Sequence, residues 1–297
     1  AGVVTAIGFT IQALTDPGDR ILIFSPVYDP FFKVIKNTNR RLVDLHLVRN
    51  GNTYNIDFGK LENELAAGVR AIILCNPHNP VGRVWSEKEL VEIAGLCRKY
   101  NVYILSDDVH GDIIFFGNIY TPVGKIKDAE DLSITFTAIS KTFNMAGLAS
   151  SALIIPNPDI RANVSRALKD AFIMGPNAIA LTAIEAAYRH GDAYVDQLNE
   201  YISANASFVA GFFAENMPDV GVTKTEGTFL MWLDFNCLGL TCNQLSEIMV
   251  NEYKLALSKG TTYGKQAEGF MRLNIGCPRS MLEKGLTLIN QLYKNEI

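Results

Sequence analysis

The feature that most restricts the fold of this chain is an alternation of short apolar segments with helical segments that are apolar on one side. Among the helical segments, SEKELVEIAGLCRKY (86–100) begins with Ser86 and has Glu89 three residues later, the pattern of a capping box. The apolar segments have the length of β-strands, and each ends at a turn or a polar residue: ILIF (21–24), RLVDLHLV (41–48), AIILC (71–75), VYILS (102–106), SITFTAIS (133–140) and ALIIP (152–156). This alternation is typical of an α/β domain with a mostly parallel sheet.

The pattern changes beyond residue 175. Long helical stretches are followed by strand-like FLMWLDF (229–235), a helix near 242–252, strand-like FMRLNIG (270–276) and a closing helix. This mixture predicts a smaller α+β unit. We therefore predict a large α/β domain over residues 1–190 and a small C-terminal α+β domain over residues 191–297.

Length and composition argue against several classes of protein. The chain of 297 residues is long enough for two domains. Its net charge of −4 argues against nucleic acids and membranes as partners, since proteins that bind these polyanions are usually basic. No apolar run reaches the ~20 residues of a membrane span. The five cysteines are scattered without the spacing of zinc ligands, so we predict reduced thiols, a cytoplasmic location and no metal site.

Residues able to take part in catalysis follow the predicted strands. Ligands bind at the carboxyl ends of strands in open α/β sheets, so these residues are expected to meet at one edge of the sheet. They provide an aromatic ring, amides, a carboxylate, an imidazole and an amine: Tyr28, the NPHNPVG segment (76–82), Asp107, His110 and Lys141. Each alone has an ordinary structural explanation, such as turn formation for NPHNPVG. The chain has no GxSxG, GxGxxG or Walker sequence, which argues against hydrolase, dinucleotide and nucleoside-triphosphate sites.

Together these groups match what pyridoxal 5′-phosphate (PLP) requires from a protein. This cofactor needs a lysine amine for a Schiff base and a carboxylate at its pyridinium nitrogen. It also needs an aromatic side chain beside its ring and a site for its phosphate dianion. The N-terminus of the first predicted helix, at Gly2 and Val3, offers free N–H groups for that dianion.

Segments in order over essentially the whole chain carry a resemblance to a known family: GVV (2–4), SPVYDPF (25–31), CNPHNPVGRVW (75–85), SDDVHGD (106–112), SKTFNMAGL (140–148), EGTFLMWLDF (226–235) and GFMRLNIGCPRSMLEKG (269–285). The sequence resembles the fold type I PLP enzymes of the class I/II aminotransferase superfamily, and within it the MalY/PatB-type cystathionine β-lyases, or C–S lyases. The resemblance implies an aspartate aminotransferase-like fold. It also implies a cis peptide bond between Asn79 and Pro80 that turns Asn79 toward the cofactor.

For the cofactor ring, the resemblance implies one role per residue. Lys141 would form the Schiff base and move protons, and Asp107 would keep the pyridine nitrogen protonated. Asn79 would hydrogen-bond the phenolic oxygen. His110, at a position where relatives often carry a Tyr, would reach the same oxygen, and Tyr28 would stack on the ring.

The resemblance also assigns the anionic ends of the cofactor and the substrate. Ser140 and the N–H groups of Gly2 and Val3 would hold the phosphate, and Arg272 would bind the substrate α-carboxylate as a bidentate fork. Many transaminases carry a phosphate-binding Arg at the position of Ala149, and the lyase branch commonly lacks it. This difference favours the lyase branch.

The activity that the resemblance implies is α,β-elimination from a sulfur-containing amino acid, giving pyruvate, ammonia and a thiol. An aminotransferase acting on an amino acid and a 2-oxo acid would use the same residues. A non-catalytic regulatory protein is a third alternative, because some relatives of this branch bind transcription regulators. The resemblance also implies a homodimer.

The beginning of the chain resembles a helix already under way, in which Val3, Val4, Ile7 and Ile11 form one apolar stripe. The resemblance implies a further N-terminal segment in the family, which would hold an edge strand of the large sheet. In the absence of that segment, we expect the first helical turn to fray, the stripe to lose its cover, and the cofactor to bind weakly.

Overall fold

The computed structural model describes residues 1–173 and 175–296. The helices are α1 (Val3–Leu14), α2 (Pro30–Asn37), α3 (Phe58–Ala66), α4 (Glu87–Tyr100), α5 (Pro158–Asp170), α6 (Ala178–His190), α7 (Asp192–Asn216), α8 (Cys242–Asn251) and α9 (Arg279–Glu296). The strands are β1 (Arg20–Ser25), β2 (Arg41–His46), β3 (Val48–Asn50), β4 (Thr53–Asn55), β5 (Val69–Cys75), β6 (Tyr103–Asp107), β7 (Ser133–Thr137), β8 (Ala152–Ile154), β9 (Gly221–Val222), β10 (Leu230–Asp234), β11 (Ser258–Lys259) and β12 (Phe270–Asn274). None of the helices in these described ranges has the length and apolar character needed to span a membrane.

Six strands form the larger sheet, in the order β2-β1-β5-β6-β7-β8. Neighbours from β2 to β7 pair in parallel, whereas β8 runs antiparallel to β7. The register places Cys75 opposite Asp107 and Asp107 opposite Phe136, so the carboxyl ends of β5, β6 and β7 lie side by side. The mostly parallel sheet expected from the sequence is confirmed.

Helices cover both faces of this sheet. Side chains alternate along a strand, so neighbouring residues of β1 enter different cores. On one face, Ile21 and Ile23 pack with residues of α1, α2 and α5. On the other face, Leu22 and Phe24 pack with residues of α3 and α4. The loops at the carboxyl edge of the sheet are therefore carried by a scaffold with a hydrophobic core on each face.

Helix α1 belongs to the first of these cores. Ile7 is 0% exposed and Ile11 is 1% exposed, while Val3 is half-buried against the same cluster. The Ser151 hydroxyl donates a hydrogen bond of 2.8 Å to the carbonyl oxygen of Ala1. The expectation of an uncovered apolar stripe is therefore wrong for Ile7 and Ile11, because the sheet and α5 cover them.

A second, antiparallel sheet of four strands, in the order β11-β12-β10-β9, follows α6 and α7. Its core contains Met231 and Leu233 of β10 with residues of α7, α8 and α9. Trp232 enters the core of the larger sheet instead, where it stacks on Phe270 with ring centroids 5.3 Å apart. Gly191 separates α6 from α7 beside the predicted boundary. We retain the division into residues 1–190 and 191–297 as a proposal.

Candidate active site

A cavity of about 190 Å³ lies at the carboxyl edge of the large sheet. Six of the nine predicted site residues line it: Gly2, Val3, Tyr28, Asp107, Ser140 and Lys141. The other lining residues are Val4, Thr5, Val109, Ala146, Ala149 and Ser150. The parallel pairing of the strands explains why Tyr28, Asp107 and Lys141 converge, because each ends or follows a strand at the same edge of the sheet.

Asp107 ends β6 and is 3% exposed. Its Oδ1 accepts a hydrogen bond of 3.3 Å from the Val109 backbone N–H. Burial raises the pKa of this carboxyl to about 7, against the opposing effects of the Val109 N–H and the Lys141 charge. A buried carboxylate with so little compensation suits a positively charged ligand atom, such as a protonated ring nitrogen.

The start of α1 suits a negatively charged group, whereas Asp107 suits a positively charged one. Gly2 is the N-cap of α1 and provides no side-chain cap, so the first N–H groups of the helix are left for a ligand. Ser140 and Ser150 line the same cavity. Ala149 lies beside them in a left-handed conformation, with a φ of 47°. Backbone N–H groups and hydroxyls here fit a phosphate dianion, and Ser150 is a donor that the sequence did not reveal.

Tyr28 and Val109 contribute apolar surface to the cavity wall. The ring of Tyr28 is held edge-on against Phe31, with centroids 5.7 Å apart and an interplanar angle of 87°. Val109 follows Asp107 by two residues and is 8% exposed. An aromatic ligand ring that meets Asp107 has these two side chains available for packing. Val109 had no signal of its own in the sequence.

Asn79 and Arg272 lie outside the lining of this cavity but contact each other. Arg272 Nη1 donates a hydrogen bond of 3.0 Å to Asn79 Oδ1. The predicted cis bond between Asn79 and Pro80 is confirmed. The Arg272 charge lowers the pKa of Tyr28, against the larger effect of burial, which places this guanidinium in the electrostatic field of the cavity. Its Nε is buried without a partner among the described residues, so the guanidinium retains donor capacity.

His110 completes the predicted set. It is 3% exposed, its ring meets Phe229 edge-on at 5.2 Å, and its Nδ1 has no partner in the described part of the chain. Burial lowers its pKa to about 3, and the positive charges of Lys141 and Arg272 act in the same direction. The imidazole is therefore neutral at physiological pH.

A second cavity of about 310 Å³ adjoins the first and shares Ser140, Lys141 and Ala146 with it. Its other lining residues come from the segment after Lys141, from α7, from the residue before β10 and from the end of β12 and just beyond it: Thr142, Asn144, Tyr194, Leu198, Ile202, Phe229, Asn274 and Gly276. Lys141 thus has open space on two sides. An amine in this position can reach both a bound cofactor and a second ligand.

The sequence also gave no sign of the ion-pair network that holds the Asn79 loop. Arg83 is 8% exposed and lies 2.9 Å from Glu226 and 3.0 Å from Glu89. Glu226 also accepts a hydrogen bond of 3.0 Å from the Val84 backbone N–H. Glu226 is 143 residues from Arg83 in the sequence, so only the fold shows that this pair fixes one end of the loop.

Known proteins resemble this chain over nearly its whole length. Residues 1–289 match the model of the family described as aminotransferase class I and II. The chain is 41% identical to cystathionine beta-lyase PatB of Bacillus subtilis, over 97% of this chain and 75% of that protein. It is 33% identical to protein MalY of Escherichia coli, over 98% of this chain and 75% of that protein.

A solved structure shows the same likeness in three dimensions. Cystalysin of Treponema denticola, whose structure contains a pyridoxal 5′-phosphate cofactor, matches with a TM-score of 0.95 and 35% identity. The match covers 99% of this chain and 75% of cystalysin. The expectation of a fold type I, aminotransferase-like fold is thereby confirmed. The chain belongs to the aminotransferase class I and II family.

Proposed function

We propose that this chain is a PLP-dependent C–S β-lyase, which eliminates a thiol from a sulfur-containing amino acid such as cystathionine. The observation that carries the proposal is the single cavity in which Lys141, Asp107 and the N-terminus of α1 meet. The names of the relatives support it, since PatB is a cystathionine beta-lyase and cystalysin contains PLP.

The cavity offers a partner for each part of the cofactor. The N–H groups at Gly2 and Val3, with Ser140, would hold the phosphate, and Ser150 adds a hydroxyl there. Asp107 would pair with the ring nitrogen, and Tyr28 would pack on the ring. The positive nitrogen would offset the burial that raises the pKa of Asp107, and would keep that carboxyl ionised.

PLP, when bound, supplies an electron-withdrawing ring that stabilises negative charge on the Cα of an amino acid joined to it. Lys141 Nζ would take the Cα proton, and Asp107 would keep the ring nitrogen protonated while that charge develops. Asn79 and the neutral His110 would hydrogen-bond the phenolic oxygen without adding charge to the site. Arg272, whose Nε has no partner among the described residues, would bind the α-carboxylate.

The atoms balance without an oxidant or an acceptor. The Cα–H and Cβ–S bonds break, and the sulfur leaves as a thiol with one proton. Water converts the remaining three-carbon amine into pyruvate and ammonium.

The test supplies PLP-loaded protein with cystathionine and no 2-oxo acid. Equal amounts of pyruvate and thiol, and none with Lys141→Ala, are the expected result. A new amino acid that forms only when a 2-oxo acid is added would show an aminotransferase instead. Tight PLP binding with neither product would favour a regulatory protein and contradict the lyase.

Assembly and location belong to the same proposal. We propose a homodimer, because large apolar side chains in α6 and just after α5 are exposed, among them Phe172, Ile179 and Leu181. We propose a reducing, cytoplasmic location, because all five cysteines are free thiols. Sedimentation of the PLP-loaded protein tests the dimer, and a single-chain mass at micromolar concentration would contradict it.

A further inference from the structure

The guanidinium of Arg272 is held from several directions. Its Cζ lies 4.8 Å from the centroid of the Tyr263 ring, within the range of a cation–π contact. Nη1 donates to Asn79 Oδ1, and Nη2 lies 3.4 Å from the Ser258 hydroxyl oxygen. Ser258 stands directly opposite Arg272 in the ladder of β11 and β12, so this contact follows from the register.

Tyr263 is itself fixed on several sides. The ring is 4% exposed and meets Trp232 edge-on at 5.6 Å. Its carbonyl oxygen accepts a hydrogen bond of 2.9 Å from the backbone N–H of Val27, the residue before Tyr28. Gly260 begins the turn that carries Tyr263, and a Cβ there would lie 2.3 Å from the Ala267 carbonyl oxygen. The turn therefore has little freedom to move the ring away from Arg272.

We propose that Tyr263 and Ser258 are positioning residues that hold Arg272 in the orientation in which it binds the substrate α-carboxylate. This inference rests on the proposed function in one respect, namely that Arg272 receives the carboxylate. The Tyr263 ring lies beside the guanidinium, Asn79 and Ser258 contact separate terminal nitrogens, and Nε has no partner among the described residues. Selectivity for amines that carry a carboxylate therefore depends on residues beyond the arginine itself.

The physical reason is the freedom of a long side chain. Arginine loses considerable rotamer entropy when it is fixed. If the protein already fixes the side chain before the ligand binds, less of the binding free energy is lost to ordering it. An aromatic ring beside a guanidinium restricts its movement without consuming its N–H donors. Removal of the ring is expected to weaken carboxylate binding even though no substrate contact is deleted.

The test measures selectivity by a readout other than turnover. L-alanine and L-alaninamide, which have no thiol to eliminate, are titrated into the PLP-loaded protein by calorimetry. The ratio of their affinities is then compared with the wild-type ratio, which cancels the difference in amine basicity between the two ligands. Tyr263→Leu is expected to lower the preference for alanine about 10-fold. Ser258→Ala is expected to lower it about 3-fold.

Two further variants separate positioning from general packing. Tyr263→Phe keeps the ring and is expected to restore the preference to within about 2-fold of wild type. Tyr54→Leu removes a buried ring from the same core as Tyr263, beside Trp232, and is expected to leave the preference unchanged. With cystathionine, Tyr263→Leu is expected to raise KM far more than it lowers kcat.

The outcomes are distinguishable from those of the proposed function. A wild-type protein without preference for alanine, or a Tyr263→Leu protein with the wild-type preference, would overturn the inference. Equal losses in Tyr54→Leu and Tyr263→Leu would also overturn it. If Tyr263→Leu does not fold, an unchanged preference in Ser258→Ala decides against the proposal. Failure to release pyruvate contradicts the lyase but leaves the measured preference as a valid test.

Discussion

At the scale of single residues, the two adjacent carboxyls at the end of β6 have different surroundings. Asp107 lines the cavity and accepts a hydrogen bond from the Val109 backbone N–H. Asp108 accepts hydrogen bonds from the hydroxyls of Ser106 and Tyr120. Burial raises the pKa of each to about 7. The first carboxyl is therefore available to a ligand, while the second is satisfied by the protein.

The role of Asp107 is tested by Asp107→Asn. An amide keeps the shape of the side chain but does not hold a proton on a ring nitrogen. We expect PLP affinity to fall about 10-fold, the loss of one charge-assisted hydrogen bond. Pyruvate release is expected to fall by more than about 100-fold, because the charge on the ring matters most in the transition state. A variant within a few-fold of wild-type turnover contradicts the role, and Asp196→Asn, at an exposed position of α7, serves as the matched control.

Lys141 is tested by chemical labelling. Borohydride reduction of PLP-loaded protein, followed by peptide mapping, is expected to place the cofactor on Lys141, because this amine lines the cavity. Lys141→Arg keeps the charge and is expected to give no label and no pyruvate. Recovery of the label on another lysine of the wild-type protein rules out the assignment.

Asp108 carries a pH dependence of stability in the cofactor-free protein. Its folded pKa of about 7 lies above the ordinary value of 3.8. Below both values the carboxyl is protonated whether or not the chain is folded, so it has no effect. Between them the unfolded chain has lost a proton that the folded chain keeps, so the free energy of unfolding falls as pH rises through this window.

Asp108→Asn is therefore expected to reduce the fall in stability between pH 5 and pH 7, by on the order of 2 kcal/mol. Urea denaturation of both proteins at several pH values measures the difference. Asp196→Asn, which changes an exposed carboxyl, is expected to follow the wild-type curve. Parallel curves for wild type and Asp108→Asn would show that this carboxyl does not titrate as its burial requires.

At the scale of elements, the start of α4 is predicted by a local sequence pattern, the capping box. The Ser86 hydroxyl oxygen accepts a hydrogen bond of 3.3 Å from the Glu89 backbone N–H, and Glu89 Oε2 accepts one of 2.8 Å from the Ser86 backbone N–H. The capping box expected from the sequence is confirmed. Glu89 also binds Arg83, so the same helix start helps to hold the Asn79 loop.

Ser86→Ala is expected to lower the free energy of unfolding by about 1 kcal/mol, because one N–H of the first turn loses its partner. Urea denaturation at neutral pH measures the change. Ser203→Ala on α7 removes a hydroxyl that donates to the carbonyl oxygen of Glu200 in its own helix, and it is expected to have a much smaller effect. Equal losses in the two variants would contradict a capping role.

The sequence predicted the elements that have strong local signals and missed those that lack them. The predicted strands became β1, β2, β5, β6, β7 and β8. In β1 and β5 the signal is a continuous apolar run, as expected for parallel strands that are buried on both faces. The hairpin of β3 and β4 and the two-residue strands β9 and β11 have too few residues to show periodicity. Val109 and Ser150 were missed for a similar reason, since an ordinary residue becomes part of a cavity only through the fold.

At the scale of the whole molecule, the two sheets share charged and aromatic contacts. Trp232 of β10 donates a hydrogen bond of 3.2 Å to the Tyr54 hydroxyl, and its ring lies in the core of the large sheet. Arg83 follows the Asn79 loop and pairs with Glu226, which precedes β10. Arg272 and the cavity lined by Asp107 and Lys141 thus keep their relative positions through contacts that span both parts of the chain.

Glu226→Gln tests this connection, because it removes one charge from a buried network and keeps the size of the side chain. The side chains of Arg83 and Glu226 are only 9% and 12% exposed, so water compensates little for the loss. We expect the free energy of unfolding to fall by about 3 kcal/mol, the range measured when one partner of a buried pair is removed. Glu247→Gln, at an exposed position of α8, is the control and is expected to have no measurable effect.

Hydrogen exchange of the native Glu226→Gln protein then locates the loss of stability. Faster exchange is expected in both β5 and β10, because the network joins the two sheets. Faster exchange in β10 alone, or a stability equal to that of wild type, would mean that Arg83 and Glu226 do not couple them.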